Sequence, residues 1–394
     1  MNLKLMQLKV LFKMFKSLKV KTDKSIQAFF ALLRTGLWEQ ADANLDINEK
    51  VDWEKVYQLA EEQSVVGLVL AGIEHSYVKP PQDLLLQWIG EVQIIEQQNK
   101  AMNEFVASLI EKLRKNDVYA ILVKGQGIAQ CYEQPLWRAS GDVDLLLSEE
   151  NYQRAKEFLT PLATDVETEY THFKHQGLTI NGWVVELHGT LHSRLSKRVD
   201  DGIDAAQREV FYNGKVRSWM NGGTQVFLPA PDEDVIFVFT HILHHFFFEG
   251  IGLRQICDWC RLLWTYKDKL NHGLLESRIR KMGLMSEWKA FAVFAVKWLG
   301  MPVEAMPLFE DDDAHNVNLD KKADKICKFV LEVGNFGHKQ RRDYSGMGYL
   351  RRKFVSVWCR LSDMLRHFQL FPKDSIVFFG GVLRSGLHAA VRGE

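Results

Sequence analysis

Hydrophobic and polar positions follow a helical period over the first quarter of the chain. The segment "SIQAFFALLRTGL" begins at Ser25, a residue type that caps helices, and Asp52 stands before a second helical pattern. Two prolines interrupt the pattern, and residues 82–115 then form one long amphipathic stretch. We therefore predict a helical region over residues 25–117, which could pack beside a core as a lid or cradle.

The period changes at Val118, where runs of strand character begin. "VYAILV" ends in the turn "KGQG", a helix is predicted from Ile128, and "DVDLLL" is a second strand. A helix capped by Ser148 follows, and then two strand candidates, "DVETEYTHFK" and "GLTINGWVVELHG", the latter with its turn at Asn181–Gly182. This order of elements predicts a compact α+β core over residues 118–200.

Helical patterns return after residue 200. In "PAPDEDVIFVFTHILHHFFF", Pro231 suits the first turn of a helix, and three acids follow it at the positive helix end. "LRQICDWCRLLWTYK" and later segments continue the helical period. We predict a mostly helical region over residues 201–394. The fold class is then α+β, a small core with a mixed or antiparallel sheet between N- and C-terminal helical regions.

Charge and cysteine content exclude some classes of protein. The 50 basic and 50 acidic side chains cancel, so the molecule has no net field that would gather nucleic acid. Five cysteines form a sparse and odd set, unlike a secreted disulfide framework. No apolar run has the length needed to span a bilayer. We expect no transmembrane segment and a cytoplasmic location.

Residues 1–24 are rich in lysine and carry a single acid, Asp23. The lysines interrupt every apolar stretch, so the segment has no signal-peptide core. A helix lying on a membrane surface is one interpretation, and peripheral membrane contact would follow from it. A basic N-terminal extension ahead of the first domain is the simpler interpretation, and we favour it.

Three carboxylates of the predicted core are the main candidates for chemistry. Asp142 and Asp144 begin "DVDLLL", and strand alternation points them to the same face, roughly 7 Å apart. An exposed strand edge could carry two solvated acids, but the three leucines that follow indicate a strand entering the core. Glu186 in the apolar "WVVELHG" could complete a cage for Mg²⁺, which prefers carboxylate oxygen.

Cationic and glycine residues stand near these acids in the predicted topology. Gly125 and Gly127 would let backbone N–H groups approach a phosphate, and the helix from Ile128 would present its positive end to it. Lys124 adds a mobile positive charge. Arg138, four residues before the first aspartate, could contact phosphates or balance the acids.

Other patterns favour packing over chemistry. Cys257 and Cys260 form a C-x-x-C inside a helical pattern, with no second pair that would complete a zinc site. Strand alternation places His188 on the face of the third carboxylate. The histidines around His241 favour core packing over metal binding, although they could line a cleft beside Arg254. Charges alternate with aromatic residues in "HKQRRDYSGMGYLRRKFVSVWCRL", which favours a solvated helix face and leaves nucleic-acid binding open.

"LVKGQGIAQCYEQPLWRASGDVDLLL" followed by "VVELH" resembles the uncharacterised nucleotidyltransferase family of the DNA polymerase β-like superfamily. The downstream "LPAPDEDVIFVFTHILHH", "LRQICDWCRLL" and "GNFGH" resemble the helical part of the same family. The resemblance implies transfer of a nucleoside monophosphate from an NTP such as ATP to a hydroxyl or phosphate, with pyrophosphate released. It also implies two divalent ions, Mg²⁺ or Mn²⁺, and an acceptor that is a small molecule or a protein.

By this resemblance, three residues are the metal ligands: Asp142, Asp144 and Glu186. The nucleotide-binding residues are Lys124, Gly125, Gln126, Gly127 and Arg138. Gln126 stands where the superfamily usually has serine, so no hydroxyl is available for the phosphate at that position. This departure favours an alternative, a non-catalytic protein that senses a nucleotide or binds a partner, whereas the three acids argue against it. A metal phosphohydrolase using the same carboxylates is a third possibility.

Overall fold

The structure is a computed structural model that describes residues 23–38, 51–169, 174–335, 366–378 and 380. The predicted basic extension falls almost wholly outside these residues, as does the C-terminal segment in which charges alternate with aromatic residues. Within the described part of the chain, no helix combines the length and the apolar character needed to cross a membrane.

Four helices precede the sheet: α1 (Lys24–Trp38), α2 (Trp53–Glu62), α3 (Val66–Glu74) and α4 (Gln82–Lys115). Asp52 caps α2 as predicted, because its side chain accepts a hydrogen bond from the Lys55 backbone N–H at 3.2 Å. The α1 and α3 backbones touch, since a Cβ placed at Gly36 would lie 1.8 Å from the Leu68 carbonyl oxygen. Helices that pack on one another therefore flank the sheet on its N-terminal side, as the predicted fold class requires.

A sheet of seven strands forms the centre of the protein. Its strands are β1 (Ala120–Val123), β2 (Asp142–Leu147), β3 (Asp165–Val166), β4 (His175–Ile180), β5 (Trp183–His188), β6 (Val216–Asn221) and β7 (Thr224–Pro229). They lie in the order β3-β4-β5-β2-β1-β7-β6. β2 pairs in parallel with β5, and β1 pairs in parallel with β7, while the other four pairings are antiparallel. The sheet is therefore mixed, and the predicted α+β class is confirmed.

Local sequence signals account for the central strands and their connections. Asn181 and Gly182 both have positive φ, 52° and 80°, as a two-residue hairpin turn requires, and they join β4 to β5 as predicted. Helix α6 (Glu149–Leu159) follows β2, and Ser148 caps it by accepting from the Asn151 backbone N–H. The three leucines of β2 are fully buried, which anchors the strand that carries the two aspartates.

Three details of the predicted core differ in the structure. The β6–β7 hairpin was not predicted, and it extends the sheet past residue 200. β3 covers only two residues of the predicted strand "DVETEYTHFK", part of which lies outside the described residues. The helix predicted from Ile128 instead begins at Gly125 and ends at Ala129, so α5 is only five residues long. The glycine turn is itself the first turn of that helix.

Helices beyond the core bury a large aromatic cluster. Phe239, Trp259 and Trp288 have ring centroids 4.8 to 5.4 Å apart, and all three are fully buried. The helices of this region include α7 (Lys197–Tyr212), α8 (Pro231–Phe248), α9 (Leu253–Thr265), α10 (His272–Met282), α11 (Met285–Leu299), α12 (Asp311–Ala314) and α13 (Val317–Val333). Contacts between the three aromatic rings hold α8, α9 and α11 together.

A buried ion pair joins the helical region to the segment that leads into β2. The Arg138 guanidinium donates to Asp258 of α9 through Nε and Nη2, both at 2.7 Å. Tyr132 donates its hydroxyl to the same carboxylate at 2.7 Å, and Asn99 of α4 donates to the Arg138 carbonyl oxygen at 2.7 Å. These bonds fix residues 132–138 between two helices and so position the start of β2.

We expect Asp258→Asn to destabilise the fold, because it leaves the buried Arg138 charge without its counter-ion. Breaking a buried pair in this way costs about 3–5 kcal/mol. Chemical denaturation should show that loss, whereas Glu133→Gln should change stability by less than about 0.5 kcal/mol. Glu133 is the matched control, since its carboxylate is 60% exposed and lies 3.5 Å from Arg261, which is in α9 like Asp258. Equal stability of the Asp258→Asn variant and the unaltered protein would contradict a structural role for the pair.

Candidate functional site

Three carboxylates meet at the centre of the sheet because β2 and β5 are parallel neighbours. Their register places Asp144 directly opposite Glu186 and Asp142 opposite Val184. Side-chain alternation then brings both aspartates and the glutamate to one face. One oxygen from each of the three carboxylates lies within 4.8 Å of the others. The structure thus brings together the three acids that the sequence singled out.

The close approach of like charges is visible in the pKa of Asp142. The charge of Asp144, burial and the charge of Glu186 together raise the pKa of Asp142 to about 6. At neutral pH this carboxylate is ionised against the repulsion of its neighbours. A site with surplus negative charge of this kind favours binding of a cation.

Lys124 supplies part of the missing positive charge. Its Nζ lies 2.7 Å from Oδ1 of Asp144, and its side chain is 19% exposed. Burial disfavours the ammonium, but the charges of Asp144 and Glu186 outweigh burial and raise the pKa of Lys124. Its φ of 55° is unusual for a residue with a side chain, and the surrounding fold must hold it. The strained backbone at the end of β1 directs the lysine to the carboxylates.

Two histidines border the same carboxylates. His188 donates from Nε2 to Oδ1 of Asp144 at 2.7 Å, and the same nitrogen lies 3.4 Å from Oε2 of Glu186. His175 of β4 lies opposite His188 in the hairpin, and its Nε2 is 3.3 Å from Oε2 of Glu186. Burial opposes protonation of His188, but its bonds to Asp144 and Glu186 raise its pKa.

Glu186 and Asp144 are held ionised by these neighbours. Burial opposes ionisation of Glu186, yet hydrogen bonds from His175 and His188 and the charge of Lys124 bring its pKa below the ordinary range. Burial likewise opposes ionisation of Asp144, and the charge of Lys124 with the bond from His188 lowers its pKa. Of the three carboxylates, Asp142 therefore has its negative charge balanced least by neighbouring donors and cations.

We did not predict His175 from the sequence, although a signal for it exists. A two-residue turn at Asn181–Gly182 pairs Ile180 with Trp183, and counting outward along the hairpin pairs His175 with His188. The turn and the position of His188 are therefore sufficient to place His175 opposite it.

The glycine turn divides into a part that faces the carboxylates and a part that faces away. Gly125 lines the cavity above them. Gln126 instead donates from Nε2 to Oδ1 of Asn99 at 3.2 Å and accepts from Ser140 Oγ at 3.1 Å. A Cβ at Gly127 would lie 2.8 Å from Cδ2 of Leu228, so this glycine allows α5 to pack on β7. Gln126 and Gly127 thus support the turn rather than line the cavity.

The two arginines beside the site have different environments. Arg138 lines the cavity, but its guanidinium forms an ion pair with Asp258. Its Nη1 also donates to Ser140 Oγ at 2.7 Å. Arg254 also lines the cavity, and its Nη1 donates to the Ala139 carbonyl oxygen at 3.0 Å. Burial, together with the nearby Arg138 charge, lowers the pKa of Arg254. The sequence favoured Arg138 as a phosphate contact, but the structure gives it a carboxylate partner in the protein.

A cavity of about 400 Å³ lies above the carboxylates, which is large enough for a small-molecule ligand. His188, His241 and Arg254, which the sequence analysis considered beside a cleft, all line this cavity. Burial, with the charges of Lys124 and His245, lowers the pKa of His241 well below its ordinary value. His241 therefore presents a neutral imidazole to the cavity.

Packing accounts for the other residues considered as metal ligands. Cys257 and Cys260 are free and buried within α9, as predicted. Nε2 of His245 lies 3.0 Å from Nε2 of His241. Among the described residues, the groups with metal-ligand spacing are the three carboxylates and a second group formed by His175, Glu186 and His188. The histidines around His241 belong to neither group.

No curated protein matches the chain. Among solved structures, the chain is similar to an antigenic nucleotidyltransferase-like protein from Paracoccidioides brasiliensis. The identity is 13% and the TM-score is 0.31, over 54% of this chain and 96% of that one. A family model described as "Uncharacterised nucleotidyltransferase" matches residues 49–300, which is more than half of the chain. That range contains the carboxylates, the glycine turn and the whole sheet, and the chain therefore belongs to the uncharacterised nucleotidyltransferase family.

Proposed function

We propose that the protein is a metal-dependent nucleotidyltransferase, which transfers a nucleoside monophosphate from an NTP to a hydroxyl or phosphate acceptor. The observation that carries the proposal is the meeting of Asp142, Asp144 and Glu186 at the base of a cavity of about 400 Å³. The family of the chain supports the same reaction class. Residues 118–200 would form the catalytic core, with the β6–β7 hairpin completing its sheet.

The donor set suits a hard divalent cation. Carboxylate oxygens are the ligands that Mg²⁺ prefers, and Mn²⁺ accepts the same donors. The raised pKa of Asp142 supports this fit, because the charges of Asp144 and Glu186 together with burial outweigh the nearby charges of Lys124 and Arg254. Asp142 and Asp144 would bind two ions, and Glu186 would join them at the ion nearer the acceptor. When bound, such ions clamp the triphosphate and lower the pKa of the attacking hydroxyl.

The cations of the chain would bind and orient the triphosphate. Lys124 would exchange its bond to Asp144 for phosphate oxygens and so neutralise charge on the departing pyrophosphate. Gly125 would admit the phosphates close to the backbone, where the first N–H groups of a helix have no partner within the helix. Arg254, which lines the cavity, is a second candidate for the pyrophosphate.

The remaining predicted nucleotide-binding residues would act by holding this surface in place. Arg138, Gln126 and Gly127 fix the turn and the segment before β2 through the contacts given above. His188 would keep Asp144 oriented, and His241 would supply a neutral donor or acceptor on the facing wall. ATP and other NTPs fit the proposal, as do a small-molecule, protein or nucleic-acid acceptor and a cytoplasmic location.

A non-catalytic nucleotide sensor is the second candidate function. The position of Gln126 favours it, because the side chain is bonded to Asn99 and Ser140 and offers nothing to a phosphate. Calorimetric titration with Mg²⁺ and each NTP, combined with product analysis, separates the candidates. Pyrophosphate release supports the transferase, binding without release supports the sensor, and release of inorganic phosphate supports a phosphohydrolase.

We expect Asp142→Asn combined with Asp144→Asn to lower NTP turnover by a factor of about 1,000 or more, because removal of a metal ligand removes charge stabilisation in the transition state. The measurement is pyrophosphate release from mixed NTPs with Mg²⁺ and a panel of acceptors. Asp165→Asn is the matched control, since it neutralises an exposed aspartate of the same sheet. Unchanged turnover in the double variant would exclude the proposed site.

We expect Asp142→Asn to raise the thermal midpoint of the metal-free protein at pH 7.5, by about 2–4 °C. The folded pKa of about 6 lies above the unfolded value of 3.8. The native state therefore binds more protons between these values, and its stability rises as pH falls through 6. At pH 7.5 the asparagine removes the repulsion between residue 142 and the carboxylates of Asp144 and Glu186. By about pH 4 the unaltered Asp142 is largely protonated, so the variant and the unaltered protein should then have the same midpoint. Calorimetry in EDTA at both pH values tests this, and a lower midpoint at pH 7.5 would contradict it.

A further inference from the structure

A second group of potential metal ligands lies where β4 and β5 pair, beside the three carboxylates. It consists of His175, Glu186 and His188, each of which offers one ligand atom that lies within 4.8 Å of the other two. Two imidazoles and one carboxylate differ in kind from the three carboxylates beside them. Glu186 belongs to both groups.

The spacing of this second group matches tetrahedral coordination. Ligand atoms about 2.05 Å from a zinc ion, at tetrahedral angles, lie roughly 3.3 Å from one another. Oε2 of Glu186 lies 3.3 Å from Nε2 of His175 and 3.4 Å from Nε2 of His188. Two of the three edges of the ligand triangle therefore already have the length that a tetrahedral ion requires.

The surroundings of the group suit an ion that enters from the cavity. All three residues line the cavity, and the side chains of His175 and Glu186 are 23% and 28% exposed. His188 is only 9% exposed and is oriented by its bond to Asp144. The hairpin pairing fixes the two histidines opposite each other, with ring centroids 4.8 Å apart. Little rearrangement of the backbone is needed for all three donors to reach one ion.

We propose that His175, Glu186 and His188 form a transition-metal site that binds one Zn²⁺, with a fourth position open to the cavity. Imidazole ligands suit zinc and other transition metals, whereas Mg²⁺ prefers oxygen alone. On binding, His188 gives up its proton to solvent and exchanges its bond to Asp144 for the ion. The proposal shares Glu186 and His188 with the proposed function but does not depend on nucleotidyl transfer.

Three single variants of the full chain separate the two metal sites. Competition with a chromogenic chelator measures Zn²⁺ affinity, and calorimetry measures Mg²⁺ affinity, both without NTP. His175→Gln should weaken Zn²⁺ binding by a factor of roughly 100 and leave Mg²⁺ binding within about twofold. Asp142→Asn should weaken Mg²⁺ binding and leave Zn²⁺ binding nearly unchanged. Glu186→Gln should weaken the binding of both metals. His272→Gln removes an exposed histidine at the start of α10 and is the matched control.

Cobalt absorption gives a second measurement that needs no variant. Co²⁺ bound to the unaltered protein should show the strong visible bands of a tetrahedral site with nitrogen ligands, and Zn²⁺ should remove them. Weak octahedral bands would overturn the proposal, as would Zn²⁺ binding that survives His175→Gln in a variant with an unchanged thermal midpoint. If the unaltered protein shows no NTP turnover but binds Zn²⁺ in a way that depends on His175, the result would count against the proposed function and not against the zinc site.

Discussion

The parallel pairing of β2 with β5 is the constraint on which the site depends. It sets Asp144 directly opposite Glu186, and strand alternation adds Asp142 on the same face. Three carboxylates so close together repel one another, which is why the pKa of Asp142 rises to about 6. Buried charge of this kind persists only where the fold supplies partners for it. Lys124 and the two histidines are those partners.

The rest of the protein holds this arrangement in place. The buried leucines of β2 anchor the strand from one side, and the Arg138–Asp258 pair fixes the segment before it. Gln126, bonded to Asn99 of the long helix α4, ties the glycine turn to the N-terminal helices. The helical regions before and after the core in sequence therefore help to position the residues that line the cavity.

Much of the fold and the grouping of the three carboxylates could be predicted from the sequence, because the signals for them are local. The strand Asp142–Leu147, the long helix Gln82–Lys115 and the hairpin at Asn181–Gly182 all follow from patterns within a few residues. The three carboxylates could be grouped because two short apolar strands carry them at places where an acid is costly unless it has a partner.

Most of the features that we missed depend on long-range contacts, and His175, which follows from the hairpin register, is the exception. The β6–β7 hairpin joins the sheet through its pairing with β1, about a hundred residues earlier in the chain, and its alternating pattern is weak. The orientation of Gln126 is set by Asn99, and that of Arg138 by Asp258, both distant in sequence. The type and position of Arg138 suggested a phosphate contact, and the family resemblance placed both residues among the nucleotide-binding ones. In the structure the side chain of Gln126 is bonded within the protein, and Arg138 forms a buried ion pair.

Locating a bound divalent ion would show directly whether the three carboxylates form a metal site. Crystals grown with Mn²⁺ and a non-hydrolysable NTP analogue would reveal the ion by its anomalous scattering. We expect manganese bonded to oxygens of Asp142 and Asp144, with Glu186 as a further ligand and the triphosphate facing Lys124. Manganese and analogue bound elsewhere, with the three carboxylates still paired only to Lys124 and the histidines, would contradict it.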